Sequence, residues 1–186
     1  MNKMIKTLSI LLFVSLLLVA CNKQPTIQEY YVQKQESNNF IAIDLPASLL
    51  KVGDEASQET KETMATIKKL NILAFKITEE NKAEYTAEAA QVKEILKGKK
   101  YNELMRMKHK NMNIIINYEG ADDAINEFVL FAADNEKGFA LARVLGNKMQ
   151  PEKIMKMAED FKNIDKEGAG DALGQITELF GDLDMD

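Results

Sequence analysis

The sequence contains one cysteine, Cys21, and one histidine, His109, in 186 residues. A single cysteine excludes an internal disulfide, so packing alone must stabilise the fold. The chain also lacks a His-Glu-x-x-His motif, a Gly-x-Ser-x-Gly motif and paired cysteines. These are the patterns that most often identify metalloenzymes and hydrolases, and without them we expect a protein that is not an enzyme and uses no cofactor.

One long apolar run is present, over residues 8–20, behind a basic start. It is shorter than the about 20 residues that a membrane-spanning helix needs, and it ends in a small residue, as a secretory signal does. The segment Leu18-Val19-Ala20-Cys21 resembles the lipobox of bacterial lipoproteins. This resemblance implies cleavage between Ala20 and Cys21 and acylation of Cys21. The alternative is an ordinary signal peptide followed by a chance cysteine.

Acylation of Cys21 would fix the location of the whole chain. One myristoyl chain gives only marginal membrane binding, whereas two or three chains anchor a protein stably. We therefore expect a lipid-anchored protein of the cell envelope, on the outer membrane and facing the periplasm. The expected partners are the membrane, through the acyl chains, and another envelope protein. The alternative function is that of an envelope lipoprotein that binds a small ligand or a metal ion.

The charge distribution argues against nucleic acid as a partner. The chain has a net charge of −5, which becomes −7 when residues 1–20 and their two lysines are removed. Residues 162–186 carry −5 of this charge. An acidic protein lacks the basic surface that binds a phosphate backbone. We divide the chain into a signal peptide over 1–20, a tether over 21–27, a folded domain over 28–161 and an acidic, glycine-containing tail over 162–186, which we expect to be mobile.

Hydrophobic periodicity predicts an α+β domain. Helices are indicated near residues 27–37, 54–69 and 78–98, and strands over 40–45 and 70–77. After Gly98 the period changes to two, which predicts strands over 101–108, 112–118, 127–133 and 139–145. Because their connections are short, we expect an antiparallel sheet with a four-stranded carboxyl-terminal meander. A further helix follows Pro151, and we expect the helices to pack on one face of the sheet.

The block Tyr101-Asn102-Glu103-Leu104-Met105-Arg106-Met107-Lys108 carries a resemblance to a known family. Together with Ile72-Leu73-Ala74-Phe75, Asn113-Ile114-Ile115-Ile116 and Glu127-Phe128-Val129-Leu130, it resembles the DUF4252 family of Bacteroidetes-type bacteria. The family has no established activity and no catalytic residues to transfer. The resemblance implies the fold and a place in the cell envelope. Because the family is associated with operons that encode extracytoplasmic-function sigma factors, the resemblance also implies a stress-response or regulatory role.

Two sets of side chains in this region are candidates for binding. Met105, Met107 and His109 alternate along one strand face, with Met112 across the hairpin, and thioether and imidazole groups suit Cu(I). However, residues two apart on a strand lie about 6.5 Å apart, and methionine is a common core residue, so we expect packing here and no metal. The second set, the basic cluster, offers a surface for an anionic headgroup or the acidic tail, unless it is only a solvated face. It comprises Lys97, Lys99, Lys100, Arg106, Lys108 and Lys110.

Overall fold

The computed structural model describes residues 24–49 and 56–160, so Cys21, the signal peptide and the tail over 162–186 lie outside the described residues. The fold belongs to the α+β class that the sequence predicts. In chain order the elements are α1 (Ile27–Lys34), β1 (Phe40–Pro46), a 3-10 turn (Ala47–Leu49), α2 (Gln58–Thr66), β2 (Ile67–Lys76), α3 (Lys82–Leu96), β3 (Asn102–His109), β4 (Met112–Ala121), β5 (Ala124–Asp134), β6 (Gly138–Met149) and α4 (Pro151–Asp160).

The six strands form one antiparallel sheet in the order β1-β2-β6-β5-β4-β3. From β3 to β6, each strand pairs with the strand that follows it in the sequence, as the short connections require. β2 then pairs with β6, and β1 pairs with β2. The two edges of this sheet are therefore β1 and β3.

The helices lie on both faces of the sheet, so the expectation of helices on one face is wrong. Leu73 and Phe75 of β2 pack with α1 and α3 on what we call the first face. Leu70 and Ile72 of the same strand pack with α2 and α4 on the second face. The near-continuous buried run of β2 explains the arrangement, because a strand with no polar alternation must be covered on both sides.

The core of the first face is built around aromatic rings. Phe75 and Phe139 stack with their centroids 5.6 Å apart, and Phe131 lies 5.4 Å from Phe139. Phe40 meets Phe75 edge to face at 5.1 Å. Such pairs contribute about 0.5–1.5 kcal/mol each beyond the burial of their surface. This cluster fixes β1, β2, β5 and β6 against α1 and α3.

The entry of the chain into the domain is fixed by a helix cap. Thr26 Oγ1 accepts a hydrogen bond from the Glu29 backbone N at 3.2 Å, and Glu29 Oε2 accepts one from the Thr26 backbone N at 2.7 Å. This capping box satisfies two backbone donors that a helix end otherwise leaves open. Ile27, the first residue of α1, is completely buried. The helix thus begins at residue 27, the last residue of the predicted tether.

Three predicted boundaries differ from the observed ones for local reasons. β2 begins at Ile67 instead of residue 70, through a register shift that lets Ile67 join the second-face core. The predicted loop over 119–126 is a tight hairpin, with only residues 122 and 123 between β4 and β5. β6 continues through Gly146, where a Cβ atom would lie 2.5 Å from the Thr66 carbonyl oxygen, so glycine allows α2 to approach the strand.

Candidate functional site

Strand β3 is an edge of the sheet and pairs only with β4 in the described part of the chain. A register shift between Glu103 and Met105 places a bulge at Leu104. From Met105 to His109 the pairing is regular. This stretch therefore presents a row of backbone groups on its outer side that no other described strand uses.

The side chains of β3 divide between the two faces of the sheet. Met105 and Met107 lie opposite Ile116 and Ile114, which places them on the second face. Met107 is 43 % exposed and Leu130 of β5 is 38 % exposed, so this part of the second face is open and apolar. Arg106 lies opposite Ile115 and projects from the first face. The strand is thus apolar on one face and basic on the other.

A cleft of about 510 Å³ opens on the first face, between the carboxyl-terminal half of α3 and strands β3 and β4. Charged and amide side chains form more than half of its lining, together with buried apolar ones. The polar lining is Lys93, Lys97, Glu103, Arg106, Asn113 and Asn117, and the remaining lining is Leu96, Tyr101, Ile115 and Phe131.

The charges at the mouth of the cleft are partly paired. Arg106 Nε donates to Glu103 Oε1 at 3.1 Å, and Arg106 Nη2 donates to Glu103 Oε2 at 2.6 Å. These hydrogen bonds lower the pKa of Glu103 and raise the pKa of Arg106. Lys97 Nζ contacts Glu94 at 2.8 Å, and both side chains are exposed. Lys93 forms no ion pair with any described residue, so the mouth has a net positive charge.

At the floor of the cleft lies an amide whose oxygen has no hydrogen-bond partner among the described residues. Asn117 is 2 % exposed, and its Nδ2 donates to the Leu96 carbonyl oxygen at 3.4 Å. Its Oδ1 is buried and has no hydrogen-bond partner among the described residues. The bond to the Leu96 carbonyl sets the orientation of the amide, because the reverse orientation would oppose two acceptors. A buried acceptor without a donor destabilises the fold, unless a bound molecule supplies the donor.

A buried ionic network adjoins the cleft. Glu127 and Arg143 are 3 % and 7 % exposed, and Arg143 Nε donates to Glu127 Oε1 at 2.6 Å. Lys100 Nζ contacts the other oxygen of Glu127 at 3.3 Å. Tyr101 Oη donates to Glu127 Oε1 at 3.3 Å and accepts from the Ile27 backbone N at 3.2 Å. Burial is the main cause of the raised pKa of Tyr101. The network ties the start of α1 to β5, β6 and the start of β3.

The chain enters the domain beside the cleft. Gln24 Nε2 donates to the Glu94 carbonyl oxygen at 2.5 Å, in the last turns of α3. A Cβ atom at Gly98 would lie 2.6 Å from Gln24 Oε1, so the two segments are in close contact. Three residues further on, the backbone N of Ile27 donates a hydrogen bond to Tyr101 Oη, and Tyr101 lines the cleft. Residues 24–27 therefore run past the end of α3, next to Lys97.

The structure divides the basic cluster into separate groups. Lys97 and Arg106 line the cleft, and Lys100 pairs with the buried Glu127. Lys99 is exposed in the turn between α3 and β3. The last two members, Lys108 and Lys110, lie at the hairpin end of β3, about 20 Å along the strand from its start.

The candidate metal ligands follow the predicted alternation along β3, with Met105, Met107 and His109 on the second face and Met112 paired with His109. His109 Nε2 is buried and has no partner among the described residues. The described ranges contain no group of three or more histidine, cysteine, aspartate or glutamate side chains that suits a metal ion.

Sequence reasoning did not find Lys93, Asn117, Glu127 or Arg143. A usable signal exists for three of them, because a polar residue within a strongly apolar strand is either buried with a partner or functional. Asn117 directly follows Ile114-Ile115-Ile116, and Glu127 and Arg143 interrupt apolar strands in the same way. Lys93 gives no such signal, since it looks like any exposed helical lysine.

None of the helices within residues 24–49 and 56–160 is both long and apolar enough to cross a membrane. Cys21, Ala20 and the proposed cleavage site lie outside these ranges, so the lipid anchor stays a prediction from the sequence.

Comparison with known proteins places the fold in a family. A family model described as a domain of unknown function, DUF4252, matches residues 30–157. This range begins within α1 and ends within α4, so it contains all six strands and the complete lining of the cleft. No curated protein and no solved structure matches the chain. Because the matched range covers well over half of the sequence, the chain belongs to the DUF4252 family.

Proposed function

We propose that this protein is a lipid-anchored, non-enzymatic interaction module of the cell envelope with a regulatory or stress-response role. In this proposal the acylated Cys21 holds the domain on the outer membrane, facing the periplasm. The domain binds an envelope protein by pairing an extended segment of that protein with β3. The observation that carries the proposal is the open edge of β3, which is apolar on one face and basic on the other.

The bulge at Leu104 and the charges of Arg106 and Lys108 are typical devices against indiscriminate pairing of an edge strand. Beyond the bulge, the segment from Met105 to His109 keeps regular strand geometry and an exposed backbone edge. Strand addition to such an edge takes affinity from backbone hydrogen bonds and specificity from alternate side chains. The edge therefore favours a partner whose side chains complement both faces.

The alternation on β3 defines the chemistry of that partner. Side chains of neighbouring strands lie side by side on each face. Residues of the partner on the second face would meet Met105 and Met107, so they should be apolar. Residues on the first face would meet Arg106 and Lys108, so they should be acidic. The expected partner is thus an extended segment in which apolar and acidic residues alternate.

The short connection to Cys21 supports a position close to the membrane. Gln24 is bonded to the end of α3, and three residue steps separate it from Cys21. At 3.3–3.6 Å per residue, these steps span at most about 11 Å. The acyl chains would therefore hold the domain against the bilayer surface, with the end of β3 nearest the tether facing it.

The test is photo-crosslinking in intact cells from position 107, compared with position 32 on α1, which is at least as exposed. Both native side chains, Met107 and Val32, are exposed and apolar. We expect one envelope protein to crosslink at position 107, through a segment of alternating apolar and acidic residues. The product should disappear in the Cys21→Ala variant and fall at least tenfold in Lys108→Glu, because the reversed charge repels an acidic segment.

Equal products from both positions would contradict the proposal. A product that contains only lipid or a second copy of this chain would contradict it as well. Lys76→Glu makes the same charge reversal at an exposed lysine on β2, and this matched control should leave the product unchanged.

A second candidate function, binding of a soft metal ion, is favoured by one observation at the β3–β4 hairpin. His109 Nε2 is buried without a partner and shares the second face with Met107, while Met112 pairs with His109. Thioether groups select soft ions such as Cu(I), and imidazole groups also bind copper. Competition for Cu(I) against a chelator of known affinity tests this function. We expect His109→Gln to weaken Cu(I) binding, and equal Cu(I) retention by the variant and the wild-type protein would exclude this site.

A further inference from the structure

We propose that the first-face cleft binds a small anion that carries hydroxyl groups, such as a sugar phosphate, an acidic sugar or the headgroup of a phospholipid. This site shares Arg106 with the edge of β3, but it does not depend on the interaction proposed above. Three features of the cleft define the ligand: its charge, the unpartnered acceptor at its floor and its place beside the entry of the chain.

The charge of the cleft selects an anion. Lys93 has no ion-pair partner within the described residues, and Lys97 is held only by an exposed contact with Glu94. Exposed ion pairs of this kind are weak, so a bound anion can recruit Lys97 at little cost. Arg106 is fixed by two bonds from its Nε and Nη2 to Glu103, which leave its Nη1 without a described partner. The mouth thus offers three cationic groups on two rigid elements.

The floor of the cleft selects a ligand that also donates hydrogen bonds. Asn117 Oδ1 is an acceptor without a donor, and the bond from Nδ2 to the Leu96 carbonyl prevents a simple exchange of the two amide atoms. An inorganic phosphate dianion is a poor donor to Oδ1, because most of its oxygens can only accept hydrogen bonds. A hydroxyl group next to the anionic group supplies the missing donor. The cleft volume of about 510 Å³ accommodates a sugar-sized molecule.

The position of the cleft brings this chemistry close to a membrane surface. Gln24 contacts Glu94, and Glu94 is the residue that pairs with Lys97 at the mouth. If Cys21 is acylated, the distance from the bilayer to the mouth of the cleft has two contributions. They are at most about 11 Å of covalent chain and the width of the carboxyl-terminal end of α3. Anionic headgroups attract basic side chains at this range. The membrane source of the ligand rests on the proposed anchor, whereas binding of the free anion does not.

The test uses the full-length protein, purified with its native processing and reconstituted in phosphatidylcholine vesicles. One arm titrates glucose 6-phosphate, glycerol 3-phosphate and glucuronate, with inorganic phosphate and glucose as controls, and follows binding by calorimetry. The second arm replaces part of the phosphatidylcholine by phosphatidylglycerol or phosphatidylinositol. It follows hydrogen-exchange protection of residues 93–97 and 113–117. A flotation assay measures separately whether the protein is membrane-bound.

We expect at least one hydroxylated anion to bind at least tenfold more tightly than inorganic phosphate and glucose. Lys93→Gln should weaken this binding at least tenfold, while the matched change Lys76→Gln, at an exposed lysine on β2, should leave it unchanged. Asn117→Leu removes the unpartnered acceptor with little change of shape. It should abolish the preference over inorganic phosphate. The unfolding temperature should change little, because removal of the unpartnered acceptor is offset by loss of the 3.4 Å hydrogen bond to the Leu96 carbonyl oxygen.

Several results would overturn the proposal. Equal affinity for inorganic phosphate and sugar phosphate would remove the role of Asn117. Equal effects of Lys93→Gln and Lys76→Gln would place the binding outside the cleft, and no binding of any probe at millimolar concentration would refute the ligand class. Binding in the first arm without protection in the second assigns a soluble ligand, and protection in the second arm assigns a headgroup. If N117L does not fold, the Lys93 comparison alone decides the site.

Discussion

The buried ion pair of Glu127 and Arg143 predicts a large loss of stability when one charge is removed. In the Glu127→Gln variant the side chain keeps its shape, but Arg143 loses its carboxylate partner at 2.6 Å. The remaining described acceptors around Arg143 are neutral oxygens of Gln28 and Asn71, at 3.2 and 3.5 Å. The guanidinium group is then a buried charge that no opposite charge compensates.

Removal of one partner from a buried pair destabilises proteins by about 3–5 kcal/mol. Because Gln retains an acceptor and the Arg143 side chain keeps 8 % exposure, we expect the lower end, about 3 kcal/mol. For a domain of this size the loss corresponds to a decrease of about 10 °C in the unfolding temperature. The double variant Glu127→Leu with Arg143→Met should recover most of this loss, since an apolar pair needs no desolvation of charge.

The measurement is urea unfolding followed by circular dichroism, because the chain has no tryptophan for fluorescence. Glu36→Gln makes the same chemical change at an exposed position of the loop before β1 and should alter the free energy of unfolding by less than about 0.5 kcal/mol. A loss below about 1 kcal/mol in Glu127→Gln would refute the reasoning, and so would a double variant whose loss equals the sum of both single losses.

Three further predictions follow from the structure. Burial raises the pKa of Tyr30 and Tyr101 in the folded protein. The stabilisation of the fold by the two neutral hydroxyls is therefore complete below pH 10 and is lost as the pH rises through the folded pKa. Each tyrosine should lower the free energy of unfolding by about 1.4 kcal/mol per pH unit above pH 10, and Tyr101→Phe should reduce this slope in urea titrations between pH 9 and 11. Gly138→Ala should lower the free energy of unfolding by more than about 2 kcal/mol, because φ is +133° and a Cβ atom would lie 1.9 Å from the Phe75 carbonyl oxygen. An unchanged urea midpoint would contradict this prediction. Cys21→Ala should remove the acyl mass and the flotation of the protein with membranes, and flotation that persists would contradict the lipid anchor.

The sequence predicts most of the strands because each signal is local. The alternation of Met105, Arg106, Met107 and Lys108 is visible in four residues, and it places the two methionines on one face as observed. The tight β4–β5 hairpin was not predicted, because Asp122 and Asp123 with their polar neighbours resemble a longer loop. The covered second face was not predicted either, although the apolar run over residues 70–75 of β2, which only Asn71 interrupts, contains that information.

The cleft could not be predicted, because its members come from distant parts of the chain. Lys93 and Asn117 are 24 positions apart and meet only because α3 crosses the first face and ends beside β4. The same holds for Glu127 and Arg143, which become partners through the register of β5 with β6. Side chains that are polar in the sequence acquire their environment only when the sheet is assembled.

The sequence by itself determined the α+β class, the strand positions, the family and the prediction of a lipid anchor at Cys21, because periodicity and a contiguous motif are properties of neighbouring residues. Only the tertiary structure decided that helices cover both faces and that β3 is an edge strand of the sheet within the described residues. It also decided that the basic cluster divides between the cleft, the Glu127 network and the hairpin end. The physical reason is that strand order and register, which fix the neighbours of every side chain, depend on contacts between residues far apart in the chain.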